Sequence, residues 1–342
     1  MKAVVLRAFG EPEELRVEEV PRPSPGPNEA LVRVRACGVC HLDLILRSGM
    51  RSRVTLPRIL GHELAGEVVE VGSGASEFSP GDRVASFNFQ SCGRCSACRK
   101  GRPSLCRQAL GDIGQVRDGG YAEYTVLARA NLVRVPDGLP LEHACLAACA
   151  YAPPYKAIRR VGLVRPGQTV VITGASGGLG IAAIQIARQS GARTIAVTTS
   201  DTKAEELKGL GADDVVVNAD GSFGDAVRRL TGGAGADLVV ELVGSPTFRG
   251  SLRSLAPGGR CVVIGELHGK PVELNLGLLI LKEWEICGVQ SASHDDLEEV
   301  LQFMHRTNIR PVIWKTLPLS QAAEAHHKLM SRAVIGRIIL AP

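Results

Sequence analysis

No apolar run in the 342 residues approaches the roughly 18 needed to cross a bilayer, so a membrane-spanning chain and a membrane partner are not expected. The amino terminus, Met1 to Arg7, also lacks the apolar stretch of a secretory signal, which points to a cytoplasmic protein. Charge of one sign is scarce. The formal net charge is only +5 and the Lys and Arg residues are scattered, so nothing marks a face for nucleic acid. One local excess, Arg94, Arg99, Lys100, Arg102 and Arg107, reads as a solvated loop. There is no internal repeat and no low-complexity stretch.

What is present suits a large soluble enzyme-sized chain. With 45% hydrophobic residues and 39 glycines, 342 residues exceed what one compact core normally holds, so two domains are expected. The ten cysteines suit a reducing compartment, where clustered thiols bind metal rather than pair. Four of them, Cys92, Cys95, Cys98 and Cys106, follow the spacing C-x2-C-x2-C-x7-C. Such a loop wraps one tetrahedral Zn²⁺ with every thiolate about 2.3 Å away and no position left open, so the site reads as structural.

Residues 30–35 alternate apolar and polar, 66–72 read as a strand entering a turn, and 81–84 as a turn entering a strand. These short pieces, separated by Gly and Pro, predict an irregular β domain up to about residue 150. From residue 168 the pattern becomes strands at 170–173, 194–197, 215–217, 238–240, 261–264 and 286–289. Helices are expected between them at 179–189, 203–210, 223–230 and 248–255. Alternation of this kind predicts a doubly wound parallel sheet, hence an α/β fold. Helices near 295–306 and 319–330 and a strand at 337–340 form a tail expected to return to the first domain. The predicted domains are therefore 1–153 with 290–342, and 154–289.

Gly174, Ala175, Ser176, Gly177, Gly178, Leu179 and Gly180 follow the first of these strands and open a helix, the context a pyrophosphate requires. Gly244 and Gly265, after the fourth and fifth strands, are further cofactor-facing candidates. No acid follows the second strand directly. Thr198, Thr199, Ser200 and Lys203 stand there, and hydroxyls with a lysine suit a ribose 2′-phosphate. NADP(H) is expected, with NAD possible through Asp201. Cys40 with Asp43, and Gly61, His62 and Glu63, add the residue types of a second zinc site.

This ordered set, with Gly81, Asp82, Arg83 and Val84 and then the four-thiol loop, resembles the zinc-dependent medium-chain alcohol dehydrogenases from end to end. The resemblance implies a GroES-like catalytic domain beside a Rossmann domain, two zinc ions per chain, and a homodimer or homotetramer. It places catalytic zinc on Cys40, His62 and Cys149, with Cys145 as the alternative third ligand and Glu63 as an occasional fourth. Asp43 matches the carboxylate that orients the zinc-bound imidazole, while His41 and Arg337 match pyrophosphate contacts. Zinc would stabilise an alkoxide that gives hydride to the nicotinamide, or polarise a ketone that receives it.

The family pattern breaks at three places. A Ser or Thr that passes the alcohol proton outwards is Leu42 here, a histidine that continues the relay is Ile45, and a Thr near the nicotinamide is Pro153. Alkyl groups cannot carry a proton. Bulky or cyclic secondary alcohols and their ketones are therefore expected as substrates in preference to ethanol. Three rivals remain: a zinc-free quinone or enone reductase of the same superfamily, whose glycine loop this one resembles; a zinc-containing nucleic-acid-binding protein; and a protein of the same fold that has lost turnover with the relay.

Overall fold

The computed structural model describes residues 1–50, 54–109 and 111–342. The chain divides into two units, Met1–Cys149 with Ser293–Pro342, and Ala150–Ala292.

The first unit is built on a seven-stranded sheet. Its centre is the long strand Glu29–Val39, which pairs antiparallel with Glu63–Val71 on one side and with Arg337–Ala341 on the other. Alternation in 30–35 emerges as Val32 and Val34 turned inward against Arg33 and Arg35 turned out. Ile338, Ile339 and Leu340, near the carboxyl end, are fully buried in this sheet. Leu6, Val32, Leu60, Leu64, Tyr121 and Leu127 fill the same core. Each such side chain contributes on the order of 2 kcal/mol through burial.

The register of these strands sets up the site. Gly38 faces Glu63 and Val39 faces Ile338. The residues one step beyond, Cys40, His62 and Arg337, therefore emerge together at one end of the sheet. A separate hairpin of Phe89–Gln90 with Gly111–Asp112 closes the base of the four-thiol loop.

The second unit is a six-stranded parallel sheet with spatial order third, second, first, fourth, fifth, sixth. Its strands are Thr169–Ile172, Arg193–Thr198, Asp214–Val217, Ala236–Glu241, Leu255–Val263 and Glu285–Gly288. The inner three are almost continuously buried, as a sheet covered on both faces demands. Order reverses beside the first strand, and in such folds ligands bind at the carboxyl ends of the strands at that point. Among the described residues, no helix is long and apolar enough to cross a membrane.

Candidate functional site

Cys40 directly follows the strand Glu29–Val39 and caps the helix His41–Arg47. Its backbone N–H donates to Asp43 Oδ2 at 2.9 Å, while Asp43 Oδ1 lies 3.1 Å from His62 Nδ1. One carboxylate thus fixes the helix start and the imidazole. With its Nδ1–H facing the carboxylate, the ring leaves Nε2 as the nitrogen free to ligate. Burial opposes a charge there, but Asp43 and Cys40 prevail and hold the His62 pKa well above its ordinary value, so a metal binding at Nε2 would displace a proton. His62 Nε2 has no hydrogen-bond partner within the protein. It faces a cluster in which the ligand atoms of Cys40, His62, Glu63 and Cys149 all lie within 4.8 Å of one another.

These residues fit zinc. Two thiols, an imidazole and a carboxylate are its usual donors, and a tetrahedron with Zn–S about 2.3 Å has sulfur–sulfur edges of about 3.8 Å. Cys40 and Cys149 hold their sulfurs 3.9 Å apart. The Cys40 thiol is held well below its ordinary pKa by the hydrogen bond from Cys149, with Arg337 and His62 adding positive charge. Cys145 is buried but turns its thiol to the Glu142 carbonyl at 3.2 Å, outside the cluster.

Glu63 is wholly buried, and burial pushes its carboxyl up to about 7 against the pull of Arg337. Arg337 Nη2 donates to Glu63 Oε1 at 3.0 Å and lies 3.9 Å from Cys40 Sγ. The guanidinium matched above to a pyrophosphate contact therefore sits inside the ligand cluster. His41 is exposed at the helix start. Leu42 packs on the first unit's core and Ile45 is half-buried. Pro153 belongs to the short helix Ala152–Tyr155 of the second unit.

The thiols of Cys92, Cys95, Cys98 and Cys106 form the second cluster, with sulfur–sulfur distances of 3.5 to 4.0 Å. Backbone N–H groups of Cys92 and Cys95 point at Cys106 Sγ and Cys92 Sγ, each at 3.4 Å. Four thiolates around Zn²⁺ leave a charge of two minus. Arg94, Arg99, Lys100, Arg102 and Arg107, all exposed, lie in the same loop and supply charge of the opposite sign.

In the second unit Gly174 takes φ +56° and Gly177 caps the helix Gly178–Gln189. A side chain on Gly180 would collide with the Gly174 and Ala175 carbonyls, so the helix can start this close to the strand only with glycine there. Gly244, with φ +92°, and Gly265 occupy turns at the ends of neighbouring strands. Beyond the second strand, Thr198 is buried, Thr199 exposed and Ser200 hydrogen-bonded to Thr202 at 2.8 Å. Lys203 is half-buried, and burial lowers its pKa.

Sequence reasoning missed three contributors. Glu241 is buried, and its Oε1 accepts from the Thr173 and Thr247 hydroxyls and from the Val243 and Gly244 amides at 2.7 to 2.9 Å, which ties the start of the glycine loop to the Gly244 turn. Tyr121 reaches Asp43, and His326 reaches Tyr121. An acid closing an apolar strand run, as Glu241 does, is a visible signal; a lone Tyr and a helical His give none.

Known proteins agree with this architecture. The family of alcohol dehydrogenase GroES-like domains matches residues 26–137, and the zinc-binding dehydrogenases match residues 178–306. An acryloyl-coenzyme A reductase of Sulfurisphaera tokodaii is 38% identical over 100% of both chains. The crystal structure of AibC matches with a TM-score of 0.95 and 47% identity, covering 100% of this chain and 96% of that one. That of an NAD-dependent alcohol dehydrogenase matches with a TM-score of 0.94 and 39% identity over 100% of both. With two ordered domains and full-length relatives, the chain belongs to the medium-chain dehydrogenase/reductase family and is an oxidoreductase that works with a nicotinamide cofactor.

Proposed function

We propose that this protein is a zinc-holding reductase that passes hydride from NADPH to a substrate activated by a carbonyl group. The observation that carries the reading is the convergence of Cys40, His62, Glu63 and Cys149 on one buried point, with His62 Nε2 left without a protein partner. Zn²⁺ held there supplies a Lewis acid for the substrate's carbonyl oxygen. Asp43 holds the imidazole in the ligating tautomer, and Arg337 balances Glu63. Cys92, Cys95, Cys98 and Cys106 hold a second, structural zinc. Thr198, Thr199, Ser200 and Lys203, with no acid directly after their strand, favour NADP(H) over NAD.

The substrate class that fits best is a conjugated carbonyl compound such as a 2-enoyl thioester. Hydride from NADPH adds to the β-carbon and a proton from water adds to the α-carbon, so the C=C bond becomes single and NADPH becomes NADP⁺. The carbonyl oxygen ends with no added proton. A side-chain relay from that oxygen is then unnecessary, which suits Leu42 and Ile45, and the acryloyl-coenzyme A reductase relative supports the same class. A second reading, interconversion of bulky or cyclic secondary alcohols and ketones, rests on the alcohol dehydrogenase relative and the same ligand set. It requires a hydroxyl proton to leave without a relay.

A spectrophotometric panel separates them. Acryloyl-coenzyme A with NADPH should exceed cyclohexanone, and cyclohexanone ethanol, by about tenfold or more in kcat/KM. Ethanol as the best substrate would overturn both readings, and equal kcat/KM for NADPH and NADH would overturn the cofactor preference.

We further propose a homodimer joined through the second unit. The strand Glu285–Gly288 lies at the end of its sheet, and the preceding helix Leu276–Leu281 exposes Ile280 (77%) and Leu281 (76%). An unpaired edge beside exposed apolar side chains calls for a covering surface, and a second copy offers the same edge. Ile280→Glu with Leu281→Glu should yield monomers by sedimentation; an unaltered assembly would contradict this.

A further inference from the structure

Behind His62 a hydrogen-bonded line continues deeper into the first unit. Asp43 Oδ1 faces His62 Nδ1 at 3.1 Å, and its Oδ2 accepts from the Tyr121 hydroxyl at 3.3 Å. The same hydroxyl lies 3.4 Å from His326 Nε2, and the two rings meet edge to face with centroids 6.1 Å apart. Asp43, Tyr121 and His326 are all completely buried. We infer that Tyr121 and His326 are positioning residues for the His62 imidazole, fixing through Asp43 the ring orientation that presents Nε2 to Cys40, Glu63 and Cys149.

The direction of the line follows from counting donors. Asp43 is an acceptor, so Tyr121 donates to it; the hydroxyl then has lone pairs free, so His326 Nε2–H donates to Tyr121. The remaining His326 atom, Nδ1, has no partner, which is tolerable for a bare lone pair and much worse for an orphaned N–H. Burial pushes His326 down to about 4, so the ring carries a single proton near neutrality. The donors thus converge on Asp43, from His326 through Tyr121 on one side and from His62 Nδ1–H on the other.

The backbone is shaped to admit this arrangement. Gly61, directly before His62, takes φ +93°, and a side chain there would collide with the Tyr121 ring and the Cys37 thiol. A side chain on Gly120 would collide with Leu64 and Cys37. The Tyr121 N–H donates to the Leu60 carbonyl at 3.0 Å, locking the tyrosine segment to the one that carries His62. A tyrosine that merely filled the core would not need its hydroxyl between a carboxylate and an imidazole.

The inference rests on the metal reading above, and the experiment separates the two. Zinc release from the holoenzyme to a chromophoric chelator is followed in wild type, Tyr121→Phe, His326→Leu and His326→Gln, with melting temperature as the control for unfolding. Loss of a direct partner of a ligating histidine weakens metal binding about 10- to 100-fold; loss one step further back should speed release of one zinc about 3- to 10-fold. The second zinc should leave at the wild-type rate in all variants. His326→Gln, which keeps an N–H donor, should stay near wild type. Unchanged release in Tyr121→Phe, equal acceleration of both ions, or His326→Gln behaving as His326→Leu would overturn the inference alone. A wild type holding a single zinc would overturn the metal reading and the inference with it.

Discussion

Arg337 and Glu63 form a sealed ion pair, with Nη2 and Oε1 3.0 Å apart and both side chains almost wholly removed from solvent. The pair joins the carboxyl-terminal strand to the segment that carries His62, so the returning tail is part of the site's electrostatics. Removing one partner of a buried pair leaves a bare charge, whereas removing both can be nearly neutral.

Arg337→Met should therefore destabilise the protein by about 3 to 5 kcal/mol, and Glu63→Gln combined with Arg337→Met should restore most of that loss. Chemical denaturation at fixed zinc concentration checks this. Equal stability of Arg337→Met and wild type would show that the pair is solvated in solution.

Leu42 and Ile45 stand where a proton would leave an alcohol. Leu42→Thr with Ile45→His should raise kcat for secondary-alcohol oxidation by about 10- to 100-fold, up to the lower end of general acid–base effects. Reduction of a 2-enoyl thioester should change by less than about threefold, because its carbonyl oxygen gives up no proton. Steady-state rates with both substrates check the split; equal gains would contradict the assigned roles.

His326 gives the fold a pH signature. Burial lowers its imidazole from 6.5 to about 4. The unfolded chain takes up a proton below pH 6.5 that the folded chain refuses until about pH 4, so this stabilisation is complete above 6.5 and lost as pH falls through that window. The loss amounts to roughly 3 kcal/mol, and His326→Gln should lack it. Denaturation curves at pH 7 and pH 4 compare the two proteins; identical differences would contradict the buried neutral ring.

Features with a short, fixed spacing were legible in the sequence. The thiols at 92, 95, 98 and 106 lie within one loop, and their convergence follows from spacing alone. The six parallel strands announced themselves as apolar runs, because both faces of that sheet are covered. The helix Leu276–Leu281 was not anticipated: its apolar side chains face outward and show no buried stripe. Tyr121 and His326 were also missed. Tyr121 meets Asp43 and His326 meets Tyr121 only through tertiary packing, across separations of 78 and 205 residues, and no local pattern encodes such contacts. The pairing of Arg337 with Glu63 was not anticipated, since a strand's register against Val39 is invisible until the sheet is assembled.

Metal content tests the central claim most directly. Protein purified with ample zinc and analysed by inductively coupled plasma mass spectrometry should hold about two zinc ions per chain. Cys40→Ser with His62→Ala should lower this to about one, as should Cys95→Ser with Cys98→Ser, and the remaining ion should differ between the two variants in its X-ray absorption signature, all sulfur in the first and mixed sulfur and nitrogen in the second. A wild type with one ion, or a Cys40→Ser, His62→Ala variant that keeps two, would contradict the account.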